Sequence, residues 1–325
     1  MGKRVAVLAV CVVLLLSMAT AVFAGGQAER PVATEDYRFT MVIYGTTGNP
    51  FWAKVVAGAT ETADVLGVNL DIQYADDDAE RQINILETAI TNQVDGIGII
   101  INYDDAYNRV VQRAIDAGIP VIAYNIDHSL GAEGNARMAF IGQDFQVAGY
   151  LITRRLIEEA GIGRGDHVVA PVEHPGAVYA QQRYAGVRRA LEEVGATSEV
   201  LDTGGVSLED TLDRLTQYLL GRRDTAAVLA MGGMPMEMAP QAIRDAGLDI
   251  PNAGFDISAR IVTNILEGRS LATVDQQPYL QGANTVMQLY LNNKYGLLPV
   301  DINTGGAIID QSNAEIVLEL ADSVR

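Results

Sequence analysis

The chain has 325 residues, with 23 basic against 41 acidic side chains and a net charge of −18. Such a surface repels the phosphates of nucleic acid and of anionic lipid, so neither is an expected partner. Apolar residues make up 49%, and a chain of about 300 residues has ample material for one or two buried cores.

The first segment is an address rather than a fold element. Lys3 and Arg4 precede an unbroken apolar run over 5–16, and Val22-Phe23-Ala24 places small side chains before Gly25-Gly26. This is the layout of a cleavable secretory signal over residues 1–24. The run falls short of the about 20 apolar residues that cross a bilayer, so an uncleaved anchor is the weaker alternative. Cys11 is the only cysteine and lies inside that run. The exported remainder therefore has no disulfide and depends on packing alone. Residues 25–37 mix Gly, Pro, Ala and charge without a period, as a flexible leader does. The expected location is the periplasm.

From Phe39 onward strand and helix alternate. Short β-rich apolar runs fall at 39–44, 68–74, 96–101, 120–124, 138–141, 167–171, 199–202, 226–230, 253–255 and 272–275. Segments of helical period lie between most of them, among them 51–66, 79–92, 180–194 and 258–266. Gly67, Gly118, Gly195 and Gly247 each follow a helix and precede the next strand within a few residues, where a left-handed cap is needed. Ile97–Ile101 is apolar on both faces, as in a parallel sheet covered by helices. So many strands exceed one comfortable sheet and fit an α/β fold of two doubly wound parallel-sheet lobes. The region 138–149 is the expected first crossing between them.

Ligands of open parallel sheets bind beyond the C-terminal strand ends. The residues there are Asn49-Pro50-Phe51-Trp52, Asn102-Tyr103-Asp104-Asp105, Asn125-Ile126-Asp127, Gly254-Phe255-Asp256 and Asp275-Gln276-Gln277-Pro278. Amides and carboxylates pair with hydroxyls in either sense, and aromatic faces pack on the C–H faces of a sugar ring. The mixture suits a neutral polyhydroxylated ligand, although Asn and Asp are also ordinary turn and cap residues. Asp76-Asp77-Asp78 reads as the cap of the helix from Ala79 rather than a cation site. His128, His167 and His174 lack metal-ligand spacing. No metal or cofactor is expected. There is no nucleophile elbow and no zinc-protease signature, so an enzyme is not expected.

In order and spacing these motifs, with Val94-Asp95-Gly96, Ala117-Gly118-Ile119-Pro120, Ile141-Gly142-Gln143-Asp144 and Ala272-Thr273-Val274-Asp275, resemble the type I periplasmic binding proteins for simple sugars, the ribose and galactose class. The resemblance covers 37–325. It implies two lobes joined by three crossing segments, here 38–141 plus 276–302 and 142–275 plus 303–325, with a sugar in the cleft. It places an aromatic clamp on Phe51 and Trp52, hydrogen-bonding positions on Asn49, Asn102, Asn125, Asp256 and Gln276, and a cleft arginine on Arg183. Two departures stand out. The family's Asp-Arg is replaced by Asn125-Ile126, which leaves Asp256 and Arg183 as the main charged groups, with Asp127 the alternative carboxylate, and its Asn-Asp is replaced by Gly232-Gly233, opening room for a bulkier ligand or for backbone contact. The function implied is a monomeric receptor delivering a sugar or polyol to an inner-membrane ABC permease by hinge closure, or a sensor presenting it to a chemoreceptor or signalling kinase.

Overall fold

The computed structural model describes residues 36–47, 50–205 and 207–321. The expected signal segment, the leader up to residue 35 and Asn49 lie outside the described residues. In chain order the first elements are β1 (Arg38–Ile43), α1 (Pro50–Leu66), β2 (Asn69–Tyr74), α2 (Ala79–Thr91), β3 (Gly96–Ile99), α3 (Asn108–Asp116), β4 (Val121–Asn125) and β5 (Ala139–Gly142). There follow α4 (Phe145–Ala160), β6 (His167–Val172), α5 (Val178–Val194), β7 (Thr197–Asp202), α6 (Leu208–Gly221) and β8 (Thr225–Ala230). The last are α7 (Gly233–Asp245), β9 (Asn252–Phe255), α8 (Ala259–Leu266), β10 (Ala272–Asp275), α9 (Pro278–Tyr295), β11 (Ile302–Asn303), β12 (Ala307–Asp310) and α10 (Ala314–Leu318).

The strands form two six-stranded sheets, in the orders β11-β5-β4-β3-β1-β2 and β12-β10-β9-β8-β6-β7. All pairings are parallel except β10 with β12. Each sheet is apolar on both faces because successive side chains alternate sides. Phe39, Met41 and Ile43 enter one core cluster while Val42 enters the other. Val168 and Ala170 likewise face away from Val169. The fold is thus the doubly wound two-lobed architecture that the strand spacing implies. Gly67, Gly118, Gly195 and Gly247 all have φ between +63° and +80°, and Asp78 caps α2 by accepting from the amides of Glu80 and Arg81.

Two short strands, β11 and β12, were not expected from sequence. Two residues cannot display alternation, and β12 is defined by the chain returning antiparallel beside β10. Tyr37, at the expected end of the leader, stacks on Phe39 and meets Tyr290 edge-on.

Three segments carry the chain between sheets: 143–144, 276–277 and 304–306. They brace one another. Thr304 donates its amide to Gly142 O and its hydroxyl to Gln276 O. Gln277 Nε2 donates to Thr304 O, and Gln143 Nε2 donates to Gly305 O. Gln281, one turn into α9, donates to both Gln276 O and Thr304 Oγ1.

Glycines set the helix spacing in both lobes. Where α1 meets α9, a Cβ added at Gly58 would lie 2.0 Å from Tyr279 O, and one at Gly282 would lie 2.0 Å from Val55 O. Where α4 meets α5, a Cβ at Gly149 would lie 2.2 Å from Arg183 O, and one at Gly186 would lie 2.1 Å from Gln146 O. Replacing a helical Gly by Ala ordinarily stabilises by about 0.5–1 kcal/mol. Here steric overlap reverses the sign. Gly282→Ala is expected to destabilise by about 1–3 kcal/mol, whereas Gly221→Ala, at the open end of α6 with nothing within 4 Å, is expected to be neutral or stabilising. Urea denaturation of the two variants checks both; a stabilised Gly282→Ala would show that these helices can separate freely.

Candidate functional site

The C-terminal strand ends of the two sheets face one another, and strained backbone gathers there. Asn125 ends β4 at φ +63°, Asp256 follows β9 at φ +74°, and Gln277 follows β10 at φ +52°. Non-glycine residues seldom hold this conformation, and where they do it commonly serves to aim a side chain at a site. Asp256 is fixed further by its own carbonyl, which accepts from Thr273 Oγ1, and by its amide, which donates to Val274 O.

Arg183 is the centre of the second lobe's share. It stands on α5, is 1% exposed, and lies among aromatic rings. Its guanidinium carbon is 4.1 Å from the Phe255 ring centre, 5.1 Å from Phe145 and 5.2 Å from Tyr179. Nη1 donates to Met231 O at 2.7 Å and Nη2 donates to Gln143 Oε1 at 3.0 Å. Asp256 Oδ1 stands 3.8 Å from Nη2. Burial pulls the guanidinium below its ordinary pKa, and the charges of Asp256 and Glu173 oppose that. Gln276 donates Nε2 to Asp256 Oδ1. Gln276 Oε1 and Arg183 Nε, both buried, have no hydrogen-bond partner among the described residues.

The first lobe offers a different surface. Asn102 accepts from Tyr107 Oη at 2.8 Å, and Asn125 Nδ2 donates to Gln281 at 3.0 Å. Phe51 meets Trp52 edge-on. Trp52, the only tryptophan, is 7% exposed and belongs to the core. Its indole covers Gly45 so closely that a Cβ there would overlap Nε1. A more open aromatic pair, Tyr44 and Tyr103, stands at the ends of β1 and β3, edge to face at 6.4 Å, with Tyr103 50% exposed. Lys54 Nζ donates across the cleft to Ile257 O at 3.4 Å.

Asp127 stands apart from this group. Both its oxygens accept from Arg137, Nε at 3.0 Å and Nη2 closer still. Arg137 Nη1 also donates to Asp301 Oδ1 at 3.1 Å, which in turn accepts the amide of Phe140. Asp127 thereby ties β4, β5 and the approach to β11 together.

One carboxylate escaped the sequence analysis. Glu173 follows β6, accepts the amide of Met234 at 2.9 Å through Oε1, and leaves Oε2 buried without a partner. Burial pushes its carboxyl above the ordinary value, and the nearby Asp256 charge adds to this. It occupies the space that Gly232-Gly233 was expected to leave for a ligand: a Cβ at Gly232 would lie 1.9 Å from Glu173 Oε2. The only available signal was a carboxylate at a strand end, in Val172-Glu173-His174. Tyr179 and Tyr44 were missed for a similar reason, since nothing local separates them from core aromatics.

Two parallel lobes, three crossings and polar strand ends meeting in one cleft define a solute-binding architecture. The chain belongs to the periplasmic binding protein domain family, whose profile matches residues 39–294. It is 27% identical over 285 residues to the xylose/arabinose-binding protein XylF of Sulfolobus acidocaldarius, covering 83% of this chain and 70% of that one. It is 28% identical over 242 residues to the ribose import binding protein RbsB of Bacillus subtilis, covering 73% and 75%. Among solved structures, a carbohydrate transporter from Acidothermus cellulolyticus in complex with myo-inositol superposes with a TM-score of 0.78 at 26% identity, covering 88% and 98%. The family is one of binding proteins, not enzymes.

The two strand-end aspartates separate experimentally. Asp127→Asn leaves Arg137, buried and charged, with a weaker partner, and is expected to cost about 1–3 kcal/mol of stability. Asp256→Asn keeps shape, and Asn tolerates positive φ; its carboxylate faces Arg183 at 3.8 Å rather than in a bidentate hydrogen bond, so its loss of stability is expected to be smaller than that of Asp127→Asn. Chemical denaturation curves decide; equal stability for Asp127→Asn would remove its bracing role.

Proposed function

We propose that this chain is an extracytoplasmic receptor, acting as a monomer, that captures a neutral sugar or polyol between its lobes. It then hands the ligand, chemically unchanged, to the inner-membrane permease of an ABC importer. The observation that carries this is the cluster of Arg183, Asp256 and Gln276 around the second lobe's strand ends, in which Arg183 and Gln276 are buried and each leaves one polar atom without a partner among the described residues. Buried polar groups are almost always hydrogen-bonded; Gln276 Oε1 and Arg183 Nε are completed by ligand hydroxyls. The names of the ribose and pentose relatives support the same substrate class, and an import partner over a chemoreceptor.

In this mechanism the second lobe presents Asp256 as acceptor and Arg183 and Gln276 as hydroxyl partners. The first lobe closes over the ligand with Asn102, Asn125, Phe51 and Asn49, while Tyr103 is the exposed aromatic face available to a sugar ring; Trp52 packs in the core instead. Closure expels water, so each hydrogen bond gains strength in the drier site. The crossing segments are the hinge. Their mutual hydrogen bonds let the lobes rotate as bodies rather than shear apart.

Thermal shift with D-xylose, L-arabinose, D-ribose, D-glucose, D-galactose and myo-inositol tests the substrate class. A ligand at 100 times its dissociation constant is expected to add about 2.7 kcal/mol of stability. Small-angle scattering with that ligand is expected to show a smaller radius of gyration. Asp256→Asn is expected to weaken binding by about 1.5–3 kcal/mol, and Asp127→Asn to leave it unchanged. A panel without a single binder, or binding at an unchanged radius, would overturn capture by hinge closure.

A further inference from the structure

Glu173 is a carboxylate at the second lobe's strand ends that no motif explains. Met234 N, at the start of α7, fixes one oxygen, Oε1, at 2.9 Å. The other, Oε2, lies against Gly232, where any side chain would evict it. The glycine is what makes room for the carboxylate. Oε2 has no hydrogen bond, and two neighbouring groups share that condition: Gln276 Oε1 and Arg183 Nε, on residues 7% and 1% exposed. Three polar atoms without a partner among the described residues thus belong to side chains that act on Asp256: Glu173 just past β6, Gln276 just past β10 and Arg183 on α5.

The charges in this group limit what can fill it. Arg183 is the single cation among them, and both its terminal nitrogens already donate to Met231 O and Gln143 Oε1. A guanidinium held in that way balances the carboxylates of Glu173 and Asp256 and is not arranged as a fork for an incoming anion. Two carboxylates against one guanidinium leave the group short of positive charge. A sugar acid or sugar phosphate placed against Glu173 Oε2 would meet like charge, with Lys54, the cation across the cleft, already donating to Ile257 O. A hydroxyl offers what Oε2 lacks, a donor proton, at no electrostatic cost.

Resting on the sugar-receptor function above, we infer that Glu173 is a specificity-determining residue: its Oε2 accepts a ligand hydroxyl proton, so the site demands a donor at that position and rejects anionic sugars. Asp256 and Glu173 then read adjacent hydroxyls of one ligand, each through a carboxylate oxygen.

The experiment uses the exported chain and the tightest binder from the sugar panel, with its series of monodeoxy analogues and its uronate or phosphate ester. In the parent protein one monodeoxy analogue is expected to bind about tenfold more weakly or worse, the range for a hydrogen bond to a charged group, and the anionic analogue not at all. Glu173→Gln is expected to weaken the parent sugar by a similar factor and to abolish the penalty for that same analogue, a coupling read directly from a double-mutant cycle. Gly232→Ala, which displaces the carboxylate without altering its charge, is expected to reproduce the pattern. A circular dichroism melt shows that each variant folds. If Glu173→Gln weakens every analogue equally, or weakens none, Glu173 makes no contact with the ligand and its role in specificity is overturned, while the sugar function stands. Should the parent bind only the anionic analogue, Glu173 does not exclude anions and the assignment again fails. If nothing in the panel binds the parent, the sugar function fails and this assignment falls with it.

Discussion

A guanidinium with no access to water needs aromatic faces, hydrogen-bond acceptors and a counter-charge, and Arg183 obtains them from across the fold. Phe255 comes from the end of β9, Phe145 from the start of α4, Tyr179 from α5 itself, Met231 O from beyond β8, and Gln143 from a crossing segment. Taking such a charge out of water costs several kcal/mol unless geometry and hydrogen bonds repay it. The placement of those elements is therefore tied to one side chain. The same side chain touches the binding group through Asp256 and the hinge through Gln143, which donates onward to Gly305 O. The strand-end polar cluster and the crossing segments share a residue.

The hinge and the helix pairs divide the mechanical work. Within each lobe, paired glycines bring two helices into backbone contact, α1 on α9 and α4 on α5. Close-packed surfaces of this kind transmit force without deforming. Between lobes, the chain passes through short segments joined by side-chain amides and one threonine hydroxyl. Rigid bodies linked by a narrow braced hinge move by rotation, which suits capture and release of a small solute.

Much of this was legible in the residues themselves. Apolar runs buried on both faces announce parallel strands, because only a sheet covered twice tolerates them. A glycine after a helical segment announces its end, because a left-handed cap disfavours a Cβ. Those rules are local, and they place ten strands to within about two residues, inside the usual scatter of element boundaries. Strand ends are where open sheets bind ligands, so the strand-end positions of Asp256 and Gln276, which meet in one hydrogen bond, were readable from the sequence. The short return strands β11 and β12 could not, since their pairing partners lie far away in the chain.

What sequence alone determined, then, is the alternation of elements, the ten longer strands and the chemical character of the strand ends. Only tertiary structure decided which strand-end groups are paired within the protein. Asn125-Ile126-Asp127 and Gly254-Phe255-Asp256 look alike as strings, a carboxylate just past a strand. One meets Arg137 and is consumed in bracing; the other meets Arg183 and Gln276 and retains capacity. Glu173 and Gly232 make the same point, for a glycine that reads as empty space in the sequence is filled by a side chain from another strand. The physical reason is that hydrogen-bond satisfaction belongs to neighbours in space. It depends on which groups the fold brings within about 3 Å, and a linear pattern carries no record of that.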